Sequence, residues 1–133
     1  MGIKYLWDTN IAIYYLQHQL SAQAENFIDT LLLNEQPIIS AITEIELLCW
    51  KAATEKDMEV LRNFISDSLV IELEQTIKMK TAELRKTYRI KLPDAIIAAT
   101  SMVYDLTLLS HNTVDFQKIP QLNLIDPWLT KAE

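Results

Sequence analysis

Between Leu92 and Phe116 the chain reads LPDAIIAATSMVYDLTLLSHNTVDF. Pro93 suits the first turn of a helix, where its missing N–H is one of the groups left unpaired in any case. The helix that follows is apolar nearly all round (Ala95, Ile96, Ile97, Ala98, Ala99, Met102, Val103). A helix of that kind is buried within its domain. Leu106 to Leu109 then reads as a short buried strand, with Ser110-His111-Asn112 and Asp115-Phe116 as the loop beyond it. One carboxylate, Asp94, stands at the start of this apolar helix, and polar side chains gather again just past the strand.

The rest of the chain alternates β-rich runs with helical patterns. Ile3 to Trp7 reads as a first strand, and Asp8-Thr9-Asn10 ends it and caps a helix over Ile11 to Leu16. Ser21 caps a second helix with Ala24, Phe27, Ile28 and Leu31 on one face, Asn34 to Pro37 turns the chain, and Ile38-Ile39 opens a second strand. Ser40 caps a third helix over Ala41 to Ala53. On a 3.6-residue wheel Ile42, Ile45, Cys49 and Ala53 share a face with Glu46 among them, while Glu44 lies opposite, solvated beside Lys51. Thr54 to Phe64 is amphipathic, with Met58, Leu61 and Ile65 on one side. Leu69 to Ile71 reads as a third strand, and Glu74 to Tyr88 as a helix running into a basic cluster of Arg85, Lys86, Arg89 and Lys91. A last strand, Leu122 to Ile125, precedes Asp126-Pro127-Trp128. Strands alternating with helices imply an α/β fold, a mainly parallel sheet covered on both faces. In such sheets ligands bind outside the carboxyl ends of the strands, the edge where Asp8 and Ser110 to Asp115 fall.

Composition removes several function classes. Gly2 is the one glycine, whereas phosphate-cradling and dinucleotide loops need glycines where backbone meets phosphate. A net charge of −6 argues against a general polyanion binder, though not against a nuclease whose acidic centre is filled by metal. Cys49, the one cysteine, excludes an internal disulfide and suggests a cytoplasmic protein. A length of 133 residues suits a single domain over 1–133. The first residues read as a strand and helix rather than a signal peptide. No apolar run approaches the roughly 20 residues of a membrane span.

Asp8, Glu46, Asp94 and Asp115 together form a candidate acidic site, with Asn112 as a neutral oxygen ligand and Thr9 and Ser110 supplying hydroxyls around it. Crowded carboxylates raise one another's pKa, and several stay ionised only where a cation compensates. All-oxygen ligation without a Cys–His pattern favours Mg²⁺ or Mn²⁺ over Zn²⁺. Such ions activate water and stabilise both the attacking and leaving oxygens of a phosphodiester, so hydrolysis of that bond is the expected reaction. Each residue has a plainer alternative. Asp8 can simply cap the first helix, Glu46 can pair with an arginine, and Asp94 suits a helix N-terminus. Asn112 and Asp115 can be turn residues bonded to their own backbone. His111 adjoins the site and His18 ends a helix, and neither is assigned a catalytic role. Tyr14 and Tyr15 offer rings that can stack on bases, but one reads as core and the other as an interface residue. Cys49 reads as packing.

WDTN at 7–10, SAITEIEL at 40–47, LPDAIIAAT at 92–100 and SHNTVDF at 110–116 resemble, in order and spacing, the motifs of the PIN-domain family, particularly VapC-type toxins of toxin–antitoxin pairs. The resemblance continues into NLIDPW at 123–128 and so spans essentially the whole chain. By that resemblance Asp8, Glu46 and Asp94 match three core metal-binding acids, and Asn112 and Asp115 match a fourth, variable polar position. Ser110 stands where threonine is more usual, and Trp50 where a glycine often follows the glutamate helix. The resemblance implies a three-layer sandwich around a five-stranded parallel sheet of order 3-2-1-4-5, a Mg²⁺-dependent endoribonuclease acting on RNA, and a homodimer. It also implies a cognate antitoxin that lays a peptide along the acidic groove. On this reading Arg85, Lys86, Arg89 and Lys91, otherwise a solvated helix end, are candidates to grip RNA phosphates beside Asp94. Other readings are a nuclease without an antitoxin and a non-catalytic interaction module on the same fold, against which the intact acids argue. A phosphoacceptor switch fits poorly, because Thr-Asn follows Asp8 and Leu122 to Trp128 contains no lysine.

Overall fold

The computed structural model describes residues 4–51 and 54–129. Five short strands form one all-parallel sheet: β1 Tyr5–Trp7, β2 Ile38–Ser40, β3 Leu69–Ile71, β4 Thr107–Leu109 and β5 Leu124–Ile125, in the order β3-β2-β1-β4-β5. This is the strand order implied by the resemblance. Between and around the strands run helices α1 Thr9–Leu16, α2 Ala22–Leu32, α3 Ala41–Leu48, α4 Glu55–Asp67, α5 Gln75–Thr87, α6 Leu92–Val103 and α7 Thr113–Phe116. A 3₁₀ turn, Pro127–Leu129, follows β5.

The strands explain the three layers, because successive strand residues point to opposite faces. Leu6, Ile38 and Leu108 lie in register across β1, β2 and β4 and join one core with Ile77 and Leu84 of α5, and Ala95 and Ala98 of α6. Their neighbours Trp7, Ile39 and Leu109 point the other way, into a second core with Ile11 of α1, Ile28 of α2, Leu47 of α3 and Leu61 of α4. The apolar helix α6 packs on α5 and on the sheet, as its composition requires. Trp7 is fully buried in the second core, where Tyr15 meets it edge-on at 5.6 Å between ring centroids.

Five local expectations need correction. The third helix ends at Leu48 rather than at Ala53, and Ala53 lies outside the described residues. Its buried face is also rotated: Thr43 and Leu47 point inward, while Ile45 is 54% exposed and Cys49 is exposed. The cause is polar. Ser40 Oγ accepts the backbone N–H of Thr43 at 3.1 Å, and the Thr43 hydroxyl meets that of Thr9 at 2.9 Å, so a hydroxyl face turns inward ahead of an apolar one. Glu44 is consequently partly buried rather than solvated. The expected loop after β4 contains α7, anchored by the fully buried Phe116. The last strand is Leu124–Ile125 alone, because Leu122 sits in the preceding turn with its side chain in the first core.

Leu108 is fully buried on the central strand β4, so Leu108→Ala should destabilise the protein by about 2–5 kcal/mol. Val114→Ala, at an exposed position of α7, should change stability by less than about 0.5 kcal/mol. Urea denaturation of the two variants checks both values, and similar losses would contradict this account of the core.

Candidate active site

The carboxyl ends of β1, β2 and β4 meet the start of α6 at one edge of the sheet. β1 delivers Asp8, which is 4% exposed. Its backbone stays extended and prolongs the ladder, its N–H donating to the carbonyl of Leu109 at 2.9 Å, and it serves as N-cap of α1. Asp8 Oδ1 accepts the backbone N–H of Thr9 at 2.8 Å, and Oδ2 accepts the Ser110 hydroxyl at 2.8 Å. The capping role foreseen as an alternative is therefore real, and it fixes the carboxylate at the sheet edge. The Ser110 bond ties the end of β4 to the end of β1, and Ser110 Oγ also accepts the backbone N–H of Asn112 at 2.9 Å.

Glu46 arrives from α3 and is partly buried. The Thr9 hydroxyl donates to its Oε1 at 2.7 Å. Because that proton is committed, the 2.9 Å contact between Thr9 and Thr43 has Thr43 as donor, and Thr43 in turn accepts from Ser40 Oγ at 3.2 Å. A directed row of hydroxyls, Ser40 to Thr43 to Thr9, thus ends on Glu46. Sequence reasoning assigned Ser40 only a capping role and passed over Thr43. The signal available was a hydroxyl three residues after a serine cap, on the same turn as Glu46.

Asp94 sits in the first turn of α6, and Asp115 lies in α7. The Asn112 amide donates to Asp115 Oδ2 at 3.1 Å, and Lys118 approaches Asp115 at 3.5 Å. Lys91, the residue capping α6, opposes the charges of Asp94 and Asp115. The rest of the basic cluster divides: Arg85 and Lys86 line a separate groove of about 550 Å³ between α5 and α6, floored by Leu73, Leu92 and Ile96. Arg89 is exposed and its carbonyl accepts from Lys118 Nζ at 3.2 Å.

Electrostatics join the four acids. Burial, reinforced by the charges of Asp94 and Glu46, pushes Asp8 from 3.8 up to about 6 against the pull of its hydrogen bonds from Ser110 and Thr9. Burial, then Asp115 and Glu46, likewise raises Asp94. Asp115 is lowered, first by the hydrogen bond from Asn112 and then by Lys118 and Lys91. Among the described residues no three His, Cys, Asp or Glu side chains converge closely enough to hold a metal ion as they stand. Glu46 is turned onto Thr9, and Asp115 onto Asn112 and Lys118. The donor set nonetheless fits a hard divalent cation. It is all oxygen, and its deepest carboxylate is buried among like charges with its proton held abnormally tightly.

The PIN domain profile matches residues 5–122. This chain belongs to the PIN-domain family. Among solved structures it is similar to a chain of a toxin–antitoxin complex from Klebsiella pneumoniae, at 32% identity and a TM-score of 0.73 over 93% of this chain and 98% of that one. It is similar also to a chain of DNA-bound VapBC from Salmonella typhimurium, at 27% identity and a TM-score of 0.78 over 95% and 99%. A chain of VapBC-1 from nontypeable Haemophilus influenzae shares the fold, with 23% identity and a TM-score of 0.79 over 94% and 98%. The curated proteins include no match. The PIN fold accounts for the placement of these acids, since its central strands all finish at the edge where Asp8 and Ser110 stand.

The Asp8 shift has a consequence for stability. A carboxyl whose folded pKa lies above its unfolded one stabilises fully below about pH 3.8, and that contribution is lost as pH rises through about 6. Asp8→Asn should therefore stabilise the protein at pH 7.5 in EDTA, by at most about 3 kcal/mol at 1.36 kcal/mol per pKa unit, and by little near pH 4. Calorimetric melting of both proteins across that range checks this, and a gap that stays constant with pH would refute it.

Proposed function

We propose that this chain is a metal-dependent endoribonuclease and the toxin of a VapBC-type toxin–antitoxin pair. The observation that carries the proposal is the buried carboxylate of Asp8 at the carboxyl edge of a PIN fold, with Asp94 and Glu46 near enough to add to its burial in raising its pKa. In that role Asp8, Glu46, Asp94 and Asp115 would hold Mg²⁺, or Mn²⁺ in its place, with the Asn112 amide oxygen as a neutral ligand. Held there, such an ion would supply charge stabilisation for phosphodiester hydrolysis and would lower the pKa of a bound water.

The chain's own residues supply the rest. Ser110 and the Thr9 N–H hold both oxygens of Asp8. The hydroxyl row ending at Thr9 aims Glu46, and Asn112 aims Asp115. Lys91 reduces the repulsion that an RNA phosphate meets on approaching Asp94 and Asp115. Arg85, Lys86 and Arg89 extend a positive surface for the flanking backbone. An antitoxin partner is supported by the similarity to chains of toxin–antitoxin complexes. The exposed Ile45 and Leu48 on α3 are apolar surface for a partner chain, the antitoxin or a second copy. No described helix is long and apolar enough to cross a membrane. As the toxin of such a pair, acting on cellular RNA, the protein is assigned to the cytoplasm.

Purified protein free of antitoxin should cleave RNA from a total cellular preparation with Mg²⁺ or Mn²⁺ and not with EDTA. Asp94→Asn should lower the rate by about a hundredfold or more, the scale seen when one transition-state-stabilising group is removed. Absence of cleavage and of metal binding under all conditions would instead favour a non-catalytic module. Replacing Arg85, Lys86, Arg89 and Lys91 by alanine should weaken RNA binding and flatten its salt dependence without abolishing metal binding. An unchanged salt slope would remove these residues from the interface.

A further inference from the structure

Beside the acids, the same sheet edge carries an aromatic feature that the hydrolytic chemistry does not use. His111 follows Ser110, whose hydroxyl holds Asp8, and Trp128 lies just past β5. The two rings stack with centroids 4.1 Å apart and 24° between their planes. Tyr14 of α1 closes on Trp128 edge-on at 5.5 Å, and Trp128 packs against the second core. Asp126, whose side chain is 7% exposed, faces His111 Nδ1 at 3.0 Å. Its Oδ1 also accepts the backbone N–H of Trp128 at 2.9 Å. One buried carboxylate therefore fixes both members of the stack. Yet the imidazole is 45% exposed. With one face on Trp128 and Nδ1 turned to Asp126, it presents its other face and its Nε2 edge to solvent.

A carboxylate taken out of water needs partners, and here those partners orient a ring that burial alone does not require to be oriented. We infer that the outer face of His111 is a stacking platform for a base of single-stranded RNA, adjoining the acidic cleft. The inference rests on the ribonuclease reading and adds a base-binding subsite to it. Aromatic faces accept any base, because every base has a π-face. A ring already fixed by Asp126 and Trp128 loses little freedom when a base settles on it. Ser110 links platform and cleft: it precedes His111 in the loop, and its one hydroxyl contacts both Asp8 and the backbone N–H of Asn112, the residue after His111. A base seated there brings its neighbouring phosphate towards the carboxylates. Stacking also gives a chain of net charge −6 a hold on RNA that does not depend on positive charge.

The test is binding of a short single-stranded RNA to the Asp94→Asn chain, which leaves the RNA uncut, followed by fluorescence anisotropy. Added to that chain, His111→Asn keeps an amide donor for Asp126 and removes the aromatic plane. His111→Phe keeps the plane and removes the donor. Stacking predicts binding about tenfold weaker for the Asn variant, and within about threefold of the parent for the Phe variant. In the otherwise wild-type chain, His111→Asn should raise KM more than it lowers kcat. Equal affinity for all three chains would overturn the inference, as would loss in the Phe variant alone, the pattern of a merely structural role. Failure of the parent chain to bind RNA, together with no cleavage by the wild type, would overturn the ribonuclease reading itself and the platform with it.

Discussion

The burial of the Asp8 carboxylate is the constraint on which the site depends. A carboxylate at 4% exposure is unfavourable, and two short hydrogen bonds offset only part of that cost. Those bonds come from the two elements that must stay together for the sheet to exist in this order: the start of α1 and the end of β4. The Ser110 bond, which helps to make the charge tolerable, also holds the exits of the first and fourth strands together. Fold and site are therefore not separable at this point, and the raised pKa records the remaining imbalance.

The architecture was legible because its cause is periodicity and composition. Short apolar strands separated by helical patterns give a parallel sheet with two covered faces, and the all-round apolar α6 cannot sit anywhere else. Strand order came from the resemblance alone, since nothing in the spacing of Leu69 to Ile71 says which neighbour it pairs with. The acids were legible for a related reason. Asp8 and Asp94 interrupt apolar surroundings at the ends of elements, where a charge is conspicuous.

What the residues concealed was orientation. Glu46 was placed inward by grouping it with Ile45 and Cys49, both of which face solvent. It points inward beside Thr43 instead, because hydroxyls satisfying one another in the interior outrank an aliphatic face with no partner in the described chain. Hydropathy patterns have no way of representing a buried polar row. Likewise, His111 looked incidental because Asp126 and Trp128, which fix it, belong to the next strand's exit and become its neighbours only once β4 and β5 pair.

The near-absence of glycine has a mechanical side. Two corners take left-handed backbone without it, at His18 after α1 and at Asp105 between α6 and β4. Single non-glycine residues in that conformation carry a penalty of roughly 1–2 kcal/mol, so such a corner has a narrow choice of angles. The helix that carries Asp94 is joined through one such corner, at Asp105, to the strand preceding Ser110. The cost of that geometry therefore falls on the scaffold that holds Asp94 and Ser110, one helix and one strand away from the carboxylates themselves.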